Sequence, residues 1–349
     1  MEYRKIKGTD LQLSVIGTGC WAFGGGEYWG DHNQKDAKEV VHASVANGIN
    51  YFDTAEAYNE GRSEASLGEA IQGIPREKLI IGTKVSPSNA YAGKLEKHCE
   101  ASLKRLRTEY IDIFMIHWPI HPHSIRHFTI DENCINHPPK IEESFEILEK
   151  LRDAGKIRYF GVSNFSLNRL KADIPATIGI AVNELPYNLL CRAIEYETLP
   201  WCLDKGIGVI GYMTLLQGIL TGKYAKLNEV PEWQRRTRHF NAESTPLCRH
   251  GEKGFEDETE QALKAIAKIA ALSGLKMADV ATKWVTSKGI TCALTGARNA
   301  REMEENIKSV ETNIDPEILN QLSKVTLFLK EKMGNHFDYY ENTKNDRTR

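Results

Sequence analysis

Four residues in the first third of the chain could share one reaction: Asp53, Tyr58, Lys84 and His117. Asp53 and Tyr58 stand five apart in "YFDTAEAYNEG", just beyond an apolar run. Lys84 closes the run "LIIGTK" and His117 closes "IDIFMIH". Acid, phenol, ammonium and imidazole together make a proton-transfer set. A free phenol titrates near ~10, and an adjacent ammonium favours the phenolate, which makes Tyr58 a readier donor. Asp53 would hold the Lys84 ammonium, and His117 would hydrogen-bond a carbonyl oxygen and aim it. Each residue alone has a plainer reading. A strand-end Asp commonly caps a helix, a Lys sits in solvent, a Tyr covers core, and a His is satisfied inside it. Their joint placement at the ends of three successive apolar runs is what favours chemistry.

The elements around them alternate between strand-like and helix-like patterns. Eight apolar runs, at 15–20, 49–54, 79–84, 111–117, 158–164, 180–185, 208–213 and 290–296, are rich in Val, Ile, Phe and Tyr. That density suits buried parallel strands. Between them lie amphipathic helices. Ile141, Phe145, Leu148 and Leu151 form one stripe; Leu95, Cys99, Leu103 and Leu106 form another. The segment 257–274 opens with acids and closes on Gly274, as helix ends prefer. Eight such units predict a (β/α)8 TIM barrel, one domain over residues 1–349, with reactive groups at the strand ends.

A doubly wound sheet is the rival. It calls for G-x-G-x-x-G after the first strand, and Ala22 holds the last position of "GTGCWA". "EYRKI" and "LQLSV", either side of Lys7–Asp10, predict an N-terminal hairpin across the barrel floor. An extra helix follows the last unit. Residues 335–349 have no apolar period and read as a loose tail.

Composition narrows the class. The 349 residues are 41% apolar with formal net charge −2. No basic block exceeds Arg235–Arg238, which argues against a nucleic-acid partner. No run reaches the roughly 18 apolar residues of a membrane span, and the first residues lack a secretory apolar region. Seven scattered cysteines with no Cys-x-x-Cys pair suit a reduced, cytoplasmic protein. Nothing in the pattern specifies an oligomeric state.

Five motifs in order, "FDTAEAYNEGRSEASLGEAI", "IGTKV", "IDIFMIHWP", "GKIRYFGVSNF" and "GYMTLLQGILTGKY", resemble the aldo-keto reductase superfamily. The likeness covers about residues 4–314 and has the flavour of its bacterial and channel-subunit-like branch. The resemblance implies an NAD(P)(H)-dependent oxidoreductase that interconverts a carbonyl and an alcohol. Asp53, Tyr58, Lys84 and His117 would be its tetrad, with Tyr58 exchanging the proton. The cofactor would lie across the barrel mouth without a Rossmann motif. Carried over by position, Ser163, Asn164 and Glu184 would meet the nicotinamide carboxamide and Tyr212 its ring. Leu215 and Lys223 would meet the pyrophosphate, Gly296 and Arg298 the adenosine phosphate end, Glu302 the ribose, and Glu305 and Asn306 the adenine. Cys20 and Trp21 would line the cleft.

Two positions depart from the family pattern, where Glu184 and Glu302 replace Gln. A carboxylate at 184 accepts from the carboxamide but cannot donate to it unless protonated. A charge at 302 repels a 2′-phosphate, while Arg298 pulls the other way. NAD(H) and NADP(H) both stay open, with Glu302 tilting the reading to NAD(H). Met213-Thr214 also replaces the usual Ser-Pro.

The larger departure is an insertion at 120–139. His121, His123, His127, Cys134 and His137 are zinc-ligand types, but they lack a standard pair spacing, and the reading is no metal. A long loop that shapes substrate choice is expected instead. Trp21, Trp29 and Trp118, with Tyr28, offer stacking faces for substrate, and Glu27, Asp31, His32 and the loop histidines offer hydrogen bonds. That set suits a small polar substrate, a sugar or cyclitol, though also an aromatic aldehyde. Two alternatives stand beside this reading: a cofactor-sensing binding subunit, and an enzyme whose tightly held NAD is reduced and reoxidised within one cycle.

Overall fold

A computed structural model describes residues 1–26, 28–175 and 178–349. Glu27 therefore lies outside the described residues. A short antiparallel hairpin, β1 (Tyr3–Lys5) with β2 (Gln12–Ser14), opens the chain. The strands that follow are β3 (Ile16–Gly19), β4 (Tyr51–Asp53), β5 (Ile80–Val85), β6 (Ile111–Ile116), β7 (Ile157–Ser163), β8 (Val182–Pro186), β9 (Gly208–Tyr212) and β10 (Cys292–Thr295). They close into a parallel barrel in the order β10-β3-β4-β5-β6-β7-β8-β9. All eight expected strands are present, so the TIM-barrel reading holds.

The hairpin does seal the floor. Ile6, Leu11 and Leu13 pack into the barrel interior with Tyr51, Ile113, Met115, Val182, Ile210 and Leu294. Tyr51 is fully buried there, and glycine makes room for it. A Cβ at Gly82 would stand 2.2 Å from the Tyr51 Oη, and one at Gly17 would stand 2.8 Å from its ring. The phenol thus fills the layer two residues below Asp53.

The outer helices follow the apolar stripes. Leu95, Cys99, Leu103 and Leu106 are buried on the helix Lys94–Leu106. Phe145, Leu148 and Leu151 are buried on Ile141–Asp153. Two helices, Pro316–Val325 and Leu327–Met333, extend the C-terminus beyond the last barrel unit.

Two segments are more ordered than the sequence suggests. The insertion is not loop throughout: it folds two short helices, Pro122–Ile125 and Glu132–Asn136. Proline at the first helical position pre-sets the first, and the Asp131 carboxylate caps the second by accepting from the Asn133 amide. The stretch 335–349 is not a loose tail either. Phe337, Asp338, Tyr339, Arg347 and Thr348 are all buried. The Arg347 guanidinium donates to both Asp338 oxygens, each at 2.7 Å. His121 Nε2 and Ser124 Oγ of the insertion donate to the Arg347 carbonyl at 3.0 and 3.2 Å. Ion pairing and backbone hydrogen bonds, not an apolar period, hold the tail. Insertion and tail brace each other beside the barrel mouth.

Candidate active site

Asp53 ends β4, Lys84 is the penultimate residue of β5, and His117 directly follows β6. Parallel register brings all three to one rim, and the turn Tyr58–Gly61 carries Tyr58 over them. Lys84 Nζ donates to Asp53 Oδ1 and Oδ2 at 2.5 and 2.6 Å and to the Thr54 carbonyl at 2.9 Å. It lies 3.2 Å from Tyr58 Oη. The rings of Tyr58 and His117 meet edge to face with centroids 5.6 Å apart. The four residues expected to act together are together.

Burial governs their proton affinities. Burial alone would lower the proton affinity of Lys84, but the Asp53 carboxylate, bonded to it through both oxygens, leads the groups that outweigh burial and hold it charged. Burial, the Lys84 ammonium and Arg347 keep His117 neutral, well below the ordinary imidazole range. At Tyr58 the expected pull of the ammonium is present but is not the largest effect. The phenol's proton affinity is raised, because burial outweighs the opposing Lys84 ammonium, and Asp53 and Glu184 add to the rise. Tyr58 therefore rests as a phenol.

Glu184 is the middle residue of β8, and the family resemblance implies for it only a carboxamide contact. It also reaches the tetrad: its Oε1 is 3.3 Å from Lys84 Nζ. Burial first, then the Asp53 charge, pushes the Glu184 carboxyl well above the usual range. Next to it, Asn164 adopts the left-handed conformation at φ 65°. Its Nδ2 donates to the His117 carbonyl at 3.1 Å, and its Oδ1 accepts from the Tyr212 hydroxyl at 2.7 Å. These bonds offset the backbone strain that Asn tolerates better than most residues.

A cleft of about 1310 Å³ opens over this rim. Trp21, Ser163, Asn164, Glu184, Tyr212, Leu215, Lys223, Gly296, Arg298, Glu302, Glu305 and Asn306 line it, as do Trp29 and Trp118. Cys20 does not: it is fully buried, with its thiol turned to the Thr18 carbonyl. Asp31, His32 and the insertion's histidines are also absent from the wall. His32 is engaged instead by Ser66, at 3.1 Å. The insertion acts at one remove, holding the tail whose Tyr340 and Arg347 do line the cleft. Those two, with Trp233, Arg236 and Arg249, had no signal in the sequence, since they come from segments without apolar period. Among the described residues, no three His, Cys, Asp or Glu groups are arranged to hold a metal, and no helix is long and apolar enough to cross a membrane.

The wall suits a dinucleotide. His117 Nδ1, Glu184 Oε2, Trp29 Nε1 and Thr214 Oγ1 are buried on it without any hydrogen-bond partner, which is costly unless a ligand completes them. Lys223, Lys276 and Arg298 supply cations for phosphate.

The family model for the aldo/keto reductase family matches residues 15–326. The chain belongs to the aldo/keto reductase family. This aldo-keto reductase is 32% identical to the aldo-keto reductase YhdN of Bacillus subtilis, over 87% of each chain. It is 28% identical to a probable voltage-gated potassium channel subunit beta of Arabidopsis thaliana, over 93% of this chain and 96% of the relative. Among solved structures, the glycerol dehydrogenase of Gluconobacter oxydans matches with TM-score 0.72 and 28% identity, over 93% of this chain and 94% of that one. The family membership assigns the aldo-keto reductase NAD(P)H-dependent carbonyl reduction and a small-molecule carbonyl substrate.

Proposed function

We propose that this reductase interconverts the carbonyl and alcohol forms of a small polar substrate of the sugar or cyclitol class, with Tyr58 as proton donor and acceptor. The observation that carries the reading is the hydrogen-bonded line Asp53–Lys84–Tyr58 on the floor of the cleft. Bound reduced nicotinamide supplies the hydride. Ser163, Asn164, Glu184 and Tyr212 would hold the nicotinamide end, Leu215 and Lys223 the pyrophosphate, and Gly296, Arg298, Glu302, Glu305 and Asn306 the adenosine end. Tyr58 gives its proton to the carbonyl oxygen. Lys84, fixed by Asp53, stabilises the phenolate left behind. Neutral His117 has a ring nitrogen free to hydrogen-bond that oxygen.

The substrate class rests on the wall beyond Tyr58. Trp21 stacks on Tyr28 with centroids 4.9 Å apart, and Trp29 stands edge-on to Trp21 at 5.2 Å. Arg347 covers one face of Trp118 at 3.8 Å. Flat aromatic faces interleaved with donors favour hydroxylated rings over plain hydrocarbon. A panel of aldoses, cyclitol ketones and aromatic aldehydes, assayed for cofactor oxidation, tests this. Highest kcat/KM among the polyhydroxylated compounds supports the class; highest kcat/KM for the aromatic aldehydes contradicts it. Cofactor bound without turnover on any of them would favour a sensing subunit.

The coenzyme preference follows from one ion pair. Glu302 Oε1 accepts from Arg298 Nε at 2.9 Å, and Oε2 accepts from the Arg298 amide at 2.9 Å. Glu302 thereby occupies the cation that would otherwise grip a 2′-phosphate, which supports NAD(H). Glu302→Gln is expected to improve the Kd for NADP(H) relative to NAD(H) by roughly tenfold, the scale of one charge-assisted hydrogen bond. Paired titrations of both coenzymes check it, and an unchanged ratio would remove the basis for the preference.

A further inference from the structure

Two carboxyl groups flank one ammonium at the reaction centre. Asp53 places both oxygens within 2.6 Å of Lys84 Nζ, so the ammonium charge is already matched. Glu184 is a second acid at 3.3 Å from the same nitrogen. An ionised Glu184 would leave a buried pocket with an excess negative charge, which burial penalises heavily. Lys84 relieves that charge only in part, because Asp53 already engages it with both oxygens. Asp53 and Tyr51 come from β4, Tyr58 from the turn after it, Tyr212 from β9 and Cys292 from β10, while the further cations are Arg347 beside Tyr212 and His117, and Arg4 beside Cys292. Glu184 is 3% exposed at its side chain, yet it lines the cleft and its Oε2 has no partner. Glu184 and Tyr58 therefore reach the same ammonium from two sides, at 3.3 and 3.2 Å.

We propose that Glu184 is a second proton-carrying residue of this centre, a neutral acid beside reduced cofactor and a carboxylate beside oxidised cofactor, linked to Tyr58 through the Lys84 ammonium. The inference builds on the proposed role of Tyr58 as donor. The proton and charge balance closes. Tyr58 loses one proton to the substrate oxygen, Lys84 passes one to the phenolate, and Lys84 takes one from the Glu184 carboxyl. Lys84 ends as an ammonium, Tyr58 as a phenol and Glu184 as a carboxylate. The new negative charge would then lie at the nicotinamide end that Glu184 is proposed to hold, where the positive charge of oxidised cofactor would favour it. The neutral acid also resolves the departure from Gln at this position, because a protonated carboxyl offers one donor and one acceptor as an amide does.

The test is binding, not turnover. Oxidised cofactor is titrated into the full-length protein at a series of pH values, and proton release is followed with an indicator dye in weak buffer. Affinity for oxidised cofactor is expected to rise with pH, by up to about tenfold per unit for one proton released. Affinity for reduced cofactor is expected to stay flat. Tyr58→Phe should keep the slope, which separates Glu184 from Tyr58 as the source. Glu184→Gln should lose both slope and proton release. No proton release in the wild type overturns the proposal, even if the variant fails to fold. A slope that vanishes in Tyr58→Phe assigns the proton to Tyr58 and also overturns it, while leaving Tyr58 as donor intact.

Discussion

Replacing Tyr58 by Phe is expected to slow carbonyl reduction by ~10²–10⁴-fold, the usual cost of losing a general acid, while cofactor still binds. Phe keeps the ring that packs at 5.8 Å from Trp21 and edge-on to His117, so the cleft wall survives. Only the hydroxyl 3.2 Å from Lys84 is lost. The fall should appear in kcat and kcat/KM alike, since the interaction matters in the transition state. Measuring both constants alongside the Kd for reduced cofactor checks it. Near wild-type turnover would remove Tyr58 from the chemistry; loss of cofactor affinity instead would mean that the residue shapes the site rather than donating a proton.

Replacing Arg347 by Met is expected to cost ~3–5 kcal/mol of stability, because it leaves the Asp338 carboxylate buried and unpaired. Asp338 is fully buried and Arg347 nearly so, and burial alone would raise the acid, which Arg347 instead holds below its ordinary range. In a chain of this size the loss corresponds to a fall in Tm of roughly 5 °C. The double replacement Arg347→Met with Asp338→Leu should recover most of it, since the orphaned charge is then gone. Thermal unfolding of the three proteins decides the matter. A single variant as stable as wild type would mean that the tail contributes nothing to the fold. Activity should respond as well. Arg347 lines the cleft and covers Trp118, so kcat/KM should fall even where the double variant regains its Tm.

The barrel was legible because its strands are short, apolar and separated by striped helices; β3 to β10 all fall on runs visible in the sequence. The four reactive residues were legible for a related reason, since strand ends in a parallel barrel share one rim. What the sequence hid is held by polar forces. The tail carries its information in the Asp338–Arg347 pair, nine positions apart, and no periodicity reports such a pair. The insertion's histidines read as hydrogen-bonding groups for substrate, yet His121 is spent on the Arg347 carbonyl. Cys20 was placed on the cleft by position, but the chain there turns its thiol inward. The Lys84 ammonium does favour the Tyr58 phenolate, as its place in the sequence implies, but the burial that outweighs it is not visible in a sequence.

The central claim is that this cleft moves a hydride from reduced nicotinamide to a carbonyl carbon with Tyr58 supplying the proton. The most direct measurement is a single turnover with cofactor carrying deuterium on one face of C4 and a polyhydroxylated carbonyl compound as substrate. The account expects deuterium on the carbinol carbon of the product for one cofactor face only, at a rate that Tyr58→Phe lowers by ~10²–10⁴-fold. Bound cofactor with no deuterium reaching the product, or transfer at an unchanged rate in Tyr58→Phe, would contradict it.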